Sequence, residues 1–256
     1  MAAPTITLTG SGSSKTSGTT LAVTVTTTAY AVGDCLVVGF SMDPQTGVVS
    51  FAQTAGTATL GAFTTEGDVA TGSGTSGVRT VMAWAQVTAA GTITTVTVTH
   101  PTATARAAET FNVTGVDGTT PVNCSAQNAG TFEGASVAPP AGGVDVAGLL
   151  FRGFEIAAGM TVSAAGSDFN NVATTDWLLI SADSVTVGTS GAGTASNISV
   201  AYTVCAPDPA GLQINTGTIT IAIEDNATNN AVIAAVFQAT SGPPLAYLAM
   251  PSTTGA

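Results

Sequence analysis

Segment 78–115 constrains this chain most, because the chain writes it twice. It reads VRTVMAWAQVTAAGTITTVTVTHPTATARAAETFNVTG, three runs of β-branched and apolar residues parted by a Gly turn and a Pro turn. A degenerate copy occupies 197–242, with ISVAYTVC, GTITIAI and AVIAAVFQATSG. Ala83-Trp84 answers Ala201-Tyr202, Gly91-Thr92-Ile93-Thr94 answers Gly217-Thr218-Ile219-Thr220, and Phe111-Asn112 answers Phe237-Gln238. The last two matches share one offset, and a longer loop at 206–216 explains why the first does not. Two strand-turn-strand units of one type, each closing half of the chain, indicate an internal duplication.

The rest of the sequence agrees with strands. Only 7% of residues are charged, against roughly 25% in an ordinary soluble domain. Thr, Gly, Ala, Val and Ser fill the gap, and β-branched Thr and Val favour strands. Residues 19–28 alternate Thr with Leu21, Val23 and Val25, the period of a half-buried strand. Cys35–Met42 is almost wholly apolar and reads as a central strand. A short first strand is expected at 5–9, a Gly/Ser turn at 10–18, and a loop-rich stretch at 43–77 with strands at 48–52 and 57–64. Strands at 78–86, 92–99 and 103–114 complete the first half. The predicted fold is all-β, an antiparallel β-sandwich of Ig-like or jelly-roll-like type. Two units in tandem, 1–118 and 119–242, would pack as a pseudo-dimer, followed by an extended arm at 243–256. One larger sandwich built from both halves is the alternative.

Charge removes several functions. The formal net charge is −11 and the only cations are Lys15, Arg79, Arg106 and Arg152. Four scattered cations cannot neutralise a run of phosphates, so nucleic acid is not an expected partner. No apolar run reaches membrane-spanning length, so no membrane partner is expected either. The N-terminus MAAPTITLTGSG lacks a basic and an apolar region, so no signal peptide is expected and synthesis would be cytoplasmic. Cys35, Cys124 and Cys205 do not make a disulfide framework, and Cys35 and Cys205 read as buried thiols.

Little in the sequence reads as chemistry. His100, the single histidine, precedes Pro101 and reads as a turn residue, with no G-x-S-x-G elbow beside it. Glu224-Asp225-Asn226 and Asp168-Phe169-Asn170-Asn171 have oxygen ligands for calcium but read as Asx turns. Neither a cofactor nor a metal is expected. Glu109 shares a strand face with Phe111 while Arg106 takes the other, so each is expected to be an exposed or interface charge. Trp84 and Tyr202 hold equivalent strand positions and read as core. Trp177 has no counterpart and is the candidate ligand-contact aromatic. A β-rich hydrolase would need a facing carboxylate pair, which sequence does not identify.

A resemblance rests on the alternating run 19–28, on Gly33-Asp34-Cys35-Leu36-Val37-Val38, and on two strand endings. These are Phe111-Asn112-Val113-Thr114-Gly115 and Phe237-Gln238-Ala239-Thr240-Ser241. In these the chain resembles the Thr/Gly/Ala/Val-rich β-sandwich proteins of tailed-bacteriophage virions, above all capsid decoration (cement) proteins and related tail or fibre modules. The likeness covers most of the chain as strand pattern and composition. It implies a non-enzymatic virion protein on the capsid exterior, a homotrimer or other small oligomer that clamps copies of the major capsid protein. Leu245, Tyr247, Leu248 and Met250 would be the contact residues of the arm. The alternative is a carbohydrate- or receptor-binding module of a tail or fibre.

Overall fold

Cys35–Met42 is buried at every position, with side chains pointing alternately into two different cores. Leu36, Val38, Phe40 and Met42 enter one core and Cys35 and Val37 the other. A strand covered on both faces must be apolar throughout, which is why CLVVGFSM carries no alternation. Full burial of each large side chain is worth about 1.5–3 kcal/mol, so this strand anchors both cores.

The computed structural model describes residues 5–14, 16–26, 29–73, 78–104, 106–131, 135–137, 156–163, 169–174, 177–187, 198–207, 219–223 and 229–238. The first half contains β1 (Thr5–Ser14), β2 (Gly18–Val25), β3 (Ala29–Tyr30), β4 (Cys35–Met42), β5 (Ser50–Gly56), β6 (Thr59–Leu60), β7 (Thr64–Thr71), β8 (Val78–Ala89), β9 (Gly91–Ala103) and β10 (Arg106–Thr114). The second contains β11 (Val122–Thr131), β12 (Ala135–Val137), β13 (Ile156–Ser163), β14 (Phe169–Thr174), β15 (Trp177–Val187), β16 (Ile198–Pro207), β17 (Ile219–Ile223) and β18 (Asn229–Gln238). The fold is all-β, and every pairing among the described strands is antiparallel.

The first half is one sheet folded over on itself. Its outer layer is β2–β9–β5 and its inner layer β1–β10–β4–β8–β7, joined where β1 meets β2 at Gly10 and Ser11. Leu21, Val23 and Val25 of β2 and Ile93, Val96 and Val98 of β9 close over the β4 and β8 side chains between these layers. The crossing corrects the expected turn at 10–18, because β1 continues as strand to Ser14. A Cβ on Gly10 would lie 2.3 Å from the Thr24 carbonyl oxygen, and one on Gly12 would lie 2.9 Å from that of Ala22. The glycines are there for close passage between layers, not for turning.

The second half repeats this order. Its five-stranded sheet runs β11–β18–β13–β16–β15 and its three-stranded sheet β12–β17–β14. Each strand takes the place held in the first half by β1, β10, β4, β8 and β7, and by β2, β9 and β5. The inner layer of the first half packs on the five-stranded sheet of the second: β7 meets β11 and β18, β1 meets β15, and β4 meets β13 and β16. Ile233, Ala235 and Phe237 of β18 pack with Val37, Met82, Phe111 and Val113 in the core between the sheets.

Two further expectations need correction. The stretch 57–64 is mostly irregular around the short β6, and β7 forms in residues expected to be loop. His100 is not in a turn: β9 runs on through Pro101 to Ala103, and His100 is buried within it against Phe40, with ring centroids 5.1 Å apart.

Candidate functional site

Most of the described ionisable side chains are engaged in holding the fold. Arg106 and Glu109, expected to be exposed or interface charges, are both buried. The Arg106 guanidinium donates to the carbonyl oxygens of Thr16, Ala103 (3.0 Å) and Thr20 (3.3 Å), tying β10 to the start of β2 and the end of β9. Arg79 binds Asp68 through Nε and Nη2, each at 2.7 Å, and donates to the Gln45 carbonyl at 2.7 Å. Asp34 Oδ2 accepts the Ala31 N–H at 2.9 Å, and Glu66 Oε1 accepts the indole N–H of Trp84 at 2.6 Å. His100 Nδ1 lies 2.7 Å from the Pro101 carbonyl oxygen, and burial lowers its pKa. Cys35 is a free thiol with no exposure, its pKa pushed up to about 12 by burial and then by Asp34. Glu109 differs from the rest. It faces the core between the inner layer of the first half and the five-stranded sheet, with neither oxygen hydrogen-bonded, and burial pushes its pKa up to about 9. Among the described residues no group of three His, Cys, Asp or Glu is placed to hold a metal ion.

The outward face of β2–β9–β5 has the opposite character. Cross-strand rows read Thr20–Thr99–Ser50, Ala22–Thr97–Ala52 and Thr24–Thr95–Ala55. Alternation sends the apolar partners of these residues into the core and leaves hydroxyls and methyls outside. These side chains are exposed or half-exposed and none is charged. Thr54 and Thr97 share a hydroxyl–hydroxyl bond of 2.9 Å across the strands. The result is a flat, small-residue, uncharged surface.

A groove of about 440 Å³ lies at the edge of this layer, between β5 and the segment 58–63. Phe51, Leu60 and Phe63 line it half-buried, and the two phenyl rings are tilted with centroids 5.7 Å apart. Gln53 spans the groove floor by donating from Nε2 to the Ala58 carbonyl at 2.9 Å. Segment 57–63 is held from the other side, with Thr57 and Ala58 N–H bonded to the Thr92 carbonyl and Gly61 N–H to that of Gln86. The groove is therefore framed by polar backbone with two phenyl rings in its lining, a shape for an extended chain.

The residues singled out from sequence fall largely elsewhere. Leu245, Tyr247, Leu248 and Met250 lie outside the described residues. Trp177 opens strand β15, opposite Pro207, and not a loop, and its side chain lies outside the described residues. Trp84 is half-buried against the core between the halves, as its strand position implied. Sequence reading passed over Phe51 and Phe63. The available signal was two phenylalanines flanking a Gly/Ala/Thr-rich bend, in a chain poor in aromatic residues. Comparison with protein-family models, curated proteins and solved structures gives no match.

Proposed function

We propose that this chain is a non-enzymatic virion protein of a tailed phage, a decoration protein that sits on the capsid exterior and bridges neighbouring major capsid subunits. One observation carries the reading: the uncharged threonine-covered face of β2–β9–β5, in a protein whose described ionisable groups are largely engaged in holding the fold. Small hydroxyl side chains lose little rotamer entropy when covered, and each can donate or accept a hydrogen bond. Such a face suits broad contact with protein.

The repeated strand order supports duplication of one ancestral unit, with 1–118 and 119–242 as its copies. The equivalent layer of the second half, β12–β17–β14, also carries no charged residue in its strands. Two such faces, one per half, would let one molecule touch two shell subunits. Bridging multiplies weak contacts, because the second becomes intramolecular once the first is made. Immunogold labelling of particles from cultures that make the protein tests this: gold over the heads is expected, and unlabelled heads would refute the reading.

The phenyl-lined groove favours a second reading, a carbohydrate- or receptor-binding module of a tail or fibre. A glycan-array signal abolished by Phe63→Ala would support it, and gold confined to tails would place the protein there.

A further inference from the structure

Of the two terminal strands of the folded first-half sheet, β7 is guarded and β5 is not. β7, at one end, carries Glu66 and Asp68 and lies under β11 and β18. Its backbone is engaged there, with the Asp68 N–H donating to Gln127 Oε1 at 2.9 Å. β5, at the other end, pairs among the described strands only with β9. Its sequence SFAQTAG has neither a charge nor a proline. Ser50, Ala52 and Thr54 on its outer face are exposed and small. Natural edges are normally guarded by Lys, Pro, inward charges or a cover. β5 has only the irregularities after Gln53, which leave Ser50–Gln53 in regular register.

We infer that the β5 edge is a self-association surface, on which a second copy of this chain pairs its own β5 antiparallel about a twofold axis. This deepens, and rests on, the reading of the protein as one that works through contacts with neighbouring chains. Charge selects the occupant. The chain is −11 overall, so two copies repel over most approaches, yet β5 and the outward positions of β9 and β2 present no ionisable group to each other. A cationic partner would find nothing to grip here. A second copy brings the same unpaired N–H and C=O groups in complementary order. β7 carries two carboxylates where β5 has none, so the match for β5 is another β5 and the contact is isologous. Joining the edges would extend the threonine face across both molecules as β2–β9–β5 continuing into β5–β9–β2 of the second copy. The Phe51–Phe63 groove and Val48, 83% exposed just before β5, lie beside the contact and add apolar area to it. The pair is one of the small oligomers that the phage resemblance allows, though not the trimer.

Light scattering of the full chain over a dilution series, with hydrogen exchange on the same samples, tests this. The mass is expected to rise from 24.9 kDa to about twice that value with concentration, and the amides of Ser50–Gln53 to gain protection in step. Ala52→Lys puts like charges across the axis from an exposed position and is expected to return the mass to the monomer without shifting the thermal midpoint measured at concentrations where the unsubstituted chain is monomeric. A monomer at every concentration, a trimer, or a dimer indifferent to Ala52→Lys would overturn the inference, as would protection gained on β14 in place of β5. A dimer missing from phage heads would leave the pairing standing and refute the decoration reading. Gold-labelled heads with a strictly monomeric protein would do the reverse.

Discussion

Glu109 lies opposite Gly39 in the β10–β4 pairing, on the face that the second half covers, with no exposure and no partner for either carboxyl oxygen. The position is tolerable only as the neutral acid. Burial holds its pKa at about 9 in the folded protein, against an ordinary value of 4.5. The folded state thus keeps a proton that the unfolded state releases. Its contribution to stability is complete below the unfolded value and declines as pH rises toward about 9, by about 1.4 kcal/mol per pH unit for one proton. Glu109→Gln is expected to remove this slope from denaturant midpoints measured between pH 5 and pH 9. An unchanged slope would mean the carboxyl is already ionised in the fold.

Arg106 serves as a staple. Its guanidinium joins carbonyls of Thr16 and Thr20, at the start of β2, to that of Ala103, at the end of β9. Arg106→Ala is expected to cost about 3 kcal/mol or more, since a charged donor is lost and carbonyls are left unpaired. Arg106→Lys is expected to recover only part of this, because an ammonium cannot span the same fork. Urea unfolding of both variants gives the comparison, and equal stability of Ala and Lys would contradict the multi-carbonyl role.

Gly67 marks how tightly the halves meet. A Cβ there would lie 2.8 Å from Ile233 Cδ1 and Cγ2 and 2.9 Å from Gln127 Oε1. Gly67→Val is expected to cost about 1–3 kcal/mol by overpacking and to speed exchange in β18 before β2 or β9. Gly61→Ala is the control, its nearest contact being an ordinary 3.6 Å. Uniform acceleration across both halves in Gly67→Val would argue against a separable interface.

Gly56 combines φ +128° with a Cβ position 2.3 Å from the Thr92 carbonyl oxygen. Gly56→Ala is expected to lower the thermal midpoint and to open the groove-bearing segment 57–63 first. Exchange at the Thr57 and Ala58 amides reads this directly, since both are bonded to Thr92.

What was legible in the sequence was whatever local periodicity encodes. Cys35–Met42 is an apolar run because both faces are buried, and β2 alternates because only one is. Phe111 and Phe237, matched in sequence, fall in β10 and β18, each second from the end of its run of paired strands, while Gly217 lies outside the described residues. What was not legible depended on neighbours distant in the chain. The GSGSS stretch looks like a turn until β2 passes within a Cβ of it. Glu109 and Arg106 look like surface charges until a second sheet and two strand ends enclose them. Phe51 and Phe63 become a groove only through the fold of the bend between them.

The most direct test of the decoration role is the copy number of this chain in purified, tail-free heads, measured by quantitative mass spectrometry against the major capsid protein. A fixed stoichiometric ratio, retained through gradient purification, is the expected result. Heads that lack the chain while intact particles carry it on their tails would contradict the role, and so would its absence from particles altogether.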